Sequence, residues 1–445
     1  MGSNPTPSAI SHCVFSGHHL FARAQGIRAT CNAPQSAGPM PKILMLTTDQ
    51  VIDRRILLEA EALTADGWDV MTLAMPGSGA QHPNVVRVAA SRRTKILQKE
   101  WTILSLYRFA RRLVSMNGKW VGRLRSALWR HWISPDEFAK RIMLPDALRY
   151  PADVVVAHDL PILPTALQAA SHHGAKLVYD SHELYCEQEF EPRLQRMWSA
   201  VETRSIGACD AVITVNPSIA RELMTRYGLA RVEVVENAER ADGPPPAKGR
   251  LFHQAFGLDA AAVIVLFQGG LIAGRNLETL VEAMPLVTTP AMHLVFLGDG
   301  ALARKLSRHA EIRRVKDRVH FHPAVAQNDL LRYTASADLG IIPYQPTCLN
   351  NLYCTPNKLF EYVAAGVPML ATDLPELRRL IAGNDIGLMI DTASPAAIAR
   401  ALDGVTADRA EMERLRSNVK EARTRLNWAQ ESKTLVDIFR RLKPA

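Results

Sequence analysis

The segment Thr355-Pro356-Asn357-Lys358-Leu359-Phe360-Glu361-Tyr362, closed by Gly366, sets a lysine and a glutamate three residues apart. Thr355 and Pro356 read as the N-cap and first residue of a helix, and Gly366 as its C-terminal stop. The free N–H groups at such a helix start bind phosphate. Lys358 in the first turn adds a full positive charge where helices disfavour cations, so helix propensity alone does not select it. Glu361, one turn on, has the reach to accept hydrogen bonds from the two hydroxyls of a ribose. An ordinary capped surface helix with a Lys/Glu pair fits the spacing equally well. A second set of reactive types lies upstream, at His158-Asp159 and at Asp180-Ser181-His182-Glu183. A histidine with adjacent carboxylates can orient a hydroxyl or assist its deprotonation. A histidine that caps a helix or satisfies backbone is the plainer alternative.

Positioning these residues falls to an alternation of short apolar runs and amphipathic stretches, the mark of parallel β-α units. It begins at Met40, with a strand over Lys42–Thr47 and a helix over Arg54–Ala65 that Asp66-Gly67 stops. Strands follow at Asp69–Leu73, Val85–Val88, Val154–Ala157, Lys176–Tyr179, Ala211–Val215 and Val232–Val235, with helices at Pro161–His172 and Arg193–Gly207 and after Pro217. The upstream histidines and carboxylates thus sit at strand C-termini, the edge of an open parallel sheet where ligands bind.

The stretch from Ala241 to Gly249, with three consecutive prolines, can continue neither a helix nor a central strand. Beyond it the alternation restarts, with strands at Val263–Phe267, His293–Leu297, Arg318–His322, Leu339–Ile342, Pro368–Ala371 and Leu388–Ile390, and helix from Pro395 onward. The expected fold class is α/β, two Rossmann-like doubly wound domains facing across a cleft. The first spans 40–240, the linker 241–250, and the second 251–445, with return of the C-terminal helices to the first domain as an option. Residues 1–39 show no periodicity and read as a disordered or non-native extension, with Met40 as the expected start. Neither half carries G-x-G-x-x-G at its first βα turn, which weakens a dinucleotide reading, and no P-loop is present. Six scattered cysteines without C-x-x-C pairs suit reduced thiols, and no apolar run reaches membrane-spanning length, so a cytoplasmic protein is expected.

Taken together, these segments resemble the family-4 glycosyltransferases of GT-B fold, in the subgroup with an S/T-P-N-K-L-F-E-Y form. The 354–368 segment is similar to that family's donor-binding segment, and Gln268 to Leu277 to its first donor-domain loop. Phe296 to Gly300 and Ala337 to Tyr344 resemble its later strand ends. Asp53-Arg54-Arg55, Ala157 to Pro161 and Val178 to Leu184 resemble its acceptor-domain signatures. The resemblance implies a retaining transfer of a sugar from a nucleotide-sugar to a hydroxyl. Arg275 and Lys358 would neutralise the departing diphosphate, Glu361 would hold the ribose, and Gly269 and Gly270 would let backbone approach the phosphates. With Asn357 these form the expected donor side. His182 and Glu183 are expected at the catalytic centre, with His158, Asp159 and Asp180 on the acceptor side. No cofactor and no metal are expected, because no D-x-D pair is present. A sugar-nucleotide epimerase of the same fold and a non-catalytic nucleotide-sugar-binding subunit remain as alternatives.

One departure from the family concerns the sugar. Family members often carry a second glutamate eight positions before Glu361, where this chain has Tyr353. The charge has its own pattern. Residues 91–150 hold fourteen Lys/Arg against four Asp/Glu, within a chain of net charge +9, together with Trp101, Trp120, Trp129 and Trp132. This block suits either a solvated face or a peripheral contact with an anionic membrane, as a lipid-linked acceptor in polysaccharide or glycolipid assembly would use. Nucleic acid is not expected, since no binding motif accompanies the charge.

Overall fold

The computed structural model describes residues 40–77, 82–90 and 135–443; residues 1–39 and, of the basic 91–150 block, residues 91–134 lie outside them. The first seven strands are β1 (Lys42–Thr47), β2 (Asp69–Ala74), β3 (Val85–Arg87), β4 (Val154–His158), β5 (Lys176–Ser181), β6 (Ala211–Thr214) and β7 (Glu233–Val234). They form one sheet in the order β3-β2-β1-β4-β5-β6-β7. Their helices are α1 (Arg54–Ala65), α2 (Pro135–Ala147), α3 (Leu163–His173), α4 (Pro192–Ser205) and α5 (Pro217–Tyr227). After the linker and α6 (Leu251–Phe256) come β8 (Val263–Gln268), α7 (Leu277–Ala283), β9 (Met292–Leu297), α8 (Ala303–Ile312), β10 (Val319–His322), α9 (Gln327–Thr334) and β11 (Leu339–Ile342). Next are α10 (Leu349–Leu352), α11 (Asn357–Ala365), β12 (Met369–Thr372) and β13 (Gly387–Ile390), and the chain closes with α12 (Pro395–Ala407), α13 (Arg409–Ala422) and α14 (Trp428–Arg441). The second sheet runs β10-β9-β8-β11-β12-β13, and its pairings, like those of the first, are parallel.

Alternation along the strands explains why both faces of the first sheet are covered. Leu44, Leu46, Val155 and Ala157 enter one core cluster, while Ile43, Met45, Val154 and Val156 enter another. Successive side chains of a strand point to opposite faces, so an unbroken apolar run requires cover on both. The second cluster is completed by Trp428, Leu435, Ile438 and Phe439 of α14, which packs beside α1. The C-terminal helix therefore belongs to the core of the first sheet. A third cluster surrounds the second sheet.

Two local expectations shift. The single helix over Pro161–His172 divides into a 3₁₀ turn at Leu160–Ile162 and α3, which starts beside Pro164. Proline has no N–H to give an α ladder, so the ladder begins where that loss is free. Thr355 does not cap α11. Pro356 occupies the cap position in extended geometry, and the Thr355 hydroxyl instead accepts from Asn216 Nδ2 at 2.6 Å. Gly366 does stop the helix, at φ 74°.

In both sheets the strand order reverses beside the first strand, between β1 and β4 and between β8 and β11. Crevices outside the strand C-termini at such reversals are the binding sites of open α/β sheets.

Candidate functional site

Both crevices open into one cavity of about 500 Å³. From the first sheet it is lined by Asp159 after β4, His182 and Glu183 after β5, and Val215 after β6. From the second it takes Gln268, Gly269, Gly270, Arg275, Tyr344 and the start of α11 with Asn357, Lys358 and Glu361. An adjoining pocket shares Asp53, Asn237, Asn357 and Glu361 and reaches Trp428.

On the second-sheet wall two cations meet at one ring. The Arg275 guanidinium lies 4.2 Å from the centre of Tyr344. Lys358 Nζ donates to Tyr344 Oη at 2.6 Å and lies 4.7 Å from the same ring centre. The Lys358 stem is buried because Leu359, Phe360 and Tyr362 draw α11 into the core. Gly269 sits at φ 112°, a backbone conformation that side chains with a Cβ rarely adopt, and it lies against the Lys358 ammonium. Glu361 accepts from Gln268 Nε2, and Gln268 Oε1 accepts from Thr334 Oγ1 at 2.9 Å. Burial raises the Glu361 carboxyl above its ordinary range, opposed by the Gln268 bond and Lys358. Tyr344 and Gln268 were not singled out from the sequence. Their positions at the ends of β11 and β8 were the available signal.

The first-sheet wall differs from the sequence expectation. His158 and Asp180 are fully buried and do not line the cavity. Asp180 is a hub. Its Oδ2 accepts from Arg55 Nε at 3.0 Å and from His182 Nε2 at 2.9 Å, and contacts His158 Nδ1 at 3.2 Å. Arg55 Nη2 completes a fork on Oδ1 at 2.9 Å. Burial opposes the Asp180 charge, but Arg55 and then His182 hold this carboxyl well below the usual range. The other nitrogen of His182, Nδ1, lies 3.6 Å from Asp159 Oδ2. Burial again opposes charge, yet the carboxylates of Asp159 and Asp180 raise the His182 imidazole to about 10. Both nitrogens are turned to carboxylates, which favours the protonated ring. Asp159 lines the cavity beside His182 and Glu183, and its backbone sits at φ 68°, ψ 161°, a conformation costly for any residue but glycine and found mainly at functional sites. Its carboxyl is pushed up to about 7 by burial and by the neighbouring Glu183 and Asp180 charges, against the pull of His182.

His158 Nδ1, Asp180 Oδ2 and His182 Nε2 lie within 4.8 Å of one another, a spacing that a divalent cation could bridge. The Arg55 guanidinium on the same oxygen would repel such an ion, and it supplies the positive charge that Asp180 needs.

Glu183 is fully engaged. Its Oε1 accepts from Gln188 at 2.6 Å and its Oε2 from Asn350 of α10 at 2.8 Å, across the cavity. Tyr353, in the family's acidic position, packs against the core of the first sheet, and its carbonyl accepts from Asn216 Nδ2 at 2.8 Å. That position has therefore become part of the contact between the two halves.

Two doubly wound parallel sheets whose C-terminal edges share one polar cavity define the GT-B architecture. The model described as "Glycosyl transferase 4-like domain" matches residues 52–238, and that described as "Glycosyl transferases group 1" matches 262–408. The chain belongs to the family-4 type of GT-B glycosyltransferases. It is similar to a D-inositol 3-phosphate glycosyltransferase of Xylanimonas cellulosilytica, at 26% identity over 54% of this chain and 58% of the relative. The chain spans a little over half the length of the curated relatives it matches. Among solved structures, the sucrose-phosphate synthase of Thermosynechococcus elongatus superposes with a TM-score of 0.68 at 18% identity, over 90% of this chain and 99% of that one. HepE of Anabaena, in a complex with UDP and glucose, gives 0.65 at 14%, over 90% and 100%. Likeness at these identities concerns the fold alone.

Proposed function

We propose that this chain transfers a sugar from a nucleotide-sugar to an acceptor hydroxyl, with retention at the anomeric carbon. The observation that carries the reading is the convergence of Arg275 and Lys358 on Tyr344, beside Gly269 and the open N-terminus of α11. Two cations fixed against one ring are placed before reaction, so they stabilise the charge of a departing diphosphate without reorganising. Glu361 holds the ribose, and Asn357 and Gly270 line the diphosphate. The acceptor hydroxyl enters from the side of Asp159, and the leaving phosphate takes its proton. Because Arg275, Lys358 and the helix start supply the positive charge, this reading needs no metal or cofactor. The UDP in the HepE complex makes uridine donors the first to try.

The test is incubation with a panel of labelled nucleotide-sugars. Slow donor hydrolysis, or transfer with retained configuration, supports the reading. An epimerised donor would make the protein an isomerase, and binding without turnover a binding subunit.

The acceptor side is proposed to serve polysaccharide or glycolipid assembly at the inner face of a membrane, with the basic 91–150 block meeting anionic lipid. No helix among the described residues is long and apolar enough to cross a membrane. Failure of the protein to co-sediment with anionic liposomes at low salt would remove the membrane part and leave the transfer reading intact.

A further inference from the structure

Arg55 lies in the first turn of α1 and is 4% exposed. Its guanidinium is committed on every side. Beyond the fork on Asp180, Nη1 donates to Val235 O at 2.7 Å and to Asn237 Oδ1 at 3.0 Å, and Nε lies 2.8 Å from Glu59 Oε1. Asn237 lines both the main cavity and the adjoining pocket. Its oxygen is taken by Arg55, which leaves the Nδ2 amino group to donate elsewhere. On the other side, Asp180 holds the His182 ring in the wall of the same cavity.

We infer that Arg55 is a positioning residue for the proposed transfer, aiming the Asn237 amino group and the His182 ring into the cavity from one buried guanidinium. The inference rests on the donor reading above. A planar fork with fixed donor directions suits this task, and a lysine, as a point charge, does not. The Asn237 amino group then offers an anionic donor a hydrogen bond from the wall opposite Arg275 and Lys358. The substrate is thereby gripped from both sheets, although the three residues are far apart in sequence.

Asn237→Asp tests the amide without dismantling Arg55. An aspartate still accepts from Arg55 and forms an ion pair with it, but its second oxygen turns negative charge toward the cavity. UDP and GDP serve as probes, by calorimetry. The expected result is at least a tenfold loss of nucleoside diphosphate affinity at unchanged or higher Tm. Wild-type affinity in the folded variant overturns the inference. A wild-type protein that binds neither diphosphate overturns the donor reading instead. Arg55→Lys tests the fork, using whichever nucleotide-sugar the wild type hydrolyses. Turnover at least tenfold lower, with Tm within a few degrees, is expected. Wild-type turnover in Arg55→Lys means that charge alone suffices, and the positioning role falls.

Discussion

Asn350 joins the two halves of the molecule to Glu183 and its neighbour: its Nδ2 donates to Glu183 Oε2 at 2.8 Å, and its Oδ1 accepts from Leu184 N at 3.0 Å. Nearby, Thr347 and Asn351 both contact Glu189. These bonds run from the loop after β5 to the segment just ahead of α11, so they tie the two halves together in the form seen here. Asn350→Ala leaves a buried N–H and a carboxylate oxygen without partners, at a cost of about 1–3 kcal/mol. The closed form should lose about ten- to a hundredfold in population. Small-angle scattering should show a larger radius of gyration than wild type, and an unchanged profile would show that these bonds do not hold the closure.

Removing either cation at Tyr344 should affect chemistry more than folding. Lys358→Met retains most of the side-chain volume, and Arg275→Ala trims a residue on a loop. Each should lower turnover about 10²–10³-fold, the scale of losing one preorganised stabiliser of developing charge. Circular dichroism should be unchanged. Wild-type rates in either variant, with a verified donor, would remove the donor assignment.

The buried network around Asp180 should make stability fall as pH rises. Glu59 is raised to about 8, first by burial and then by the Asp180 charge, against the pull of Arg55. A carboxyl with a raised folded pKa contributes fully below its unfolded value, and loses that contribution as pH climbs through about 8. His182, raised to about 10, acts in the same direction over a higher window, above its ordinary 6.5. Tm should therefore be lower at pH 9 than at pH 6. In Glu59→Gln, which stays neutral throughout, the fall should be shallower. An equally steep fall in the variant would show that Glu59 does not carry this dependence.

The closing helix should be indispensable to the first sheet. Phe439 is fully buried and meets Trp68 edge-on with ring centres 6.2 Å apart. Phe439→Ala should cost about 3–5 kcal/mol in denaturant unfolding. A loss below 1 kcal/mol would mean that α14 is only loosely held.

Much of the strand framework was legible because both sheets are parallel and covered on two faces, which writes each strand as a compact apolar run. Val154-Val155-Val156 is such a run, and its structure follows the pattern. The Lys358/Glu361 segment was legible because its residue types contradict simple helix preference. What stayed hidden depends on contacts between distant positions. Nothing in the sequence says that Asp180 faces Arg55 and not the cavity, or that both nitrogens of His182 meet carboxylates. Nor does spacing show that Asn216, the N-cap of α5, also donates to Tyr353 and Thr355. The strained backbone of Asp159 is equally invisible, because residue type alone does not announce a positive φ.

The return of α14 to the first sheet has a mechanical consequence. Among the described residues the chain passes between the two sheets twice, outward after β7 and back before α14. The two passages touch, with Trp428 N donating to Glu239 O at 3.0 Å and Glu236 N to Glu431 Oε2 at 2.8 Å. A joint fastened at two adjacent points behaves like a door on a pair of pins: it swings about the line through them and resists twisting. Any opening of the cavity about such a joint should follow a single arc, so that the opposing walls meet in the same alignment at each closure.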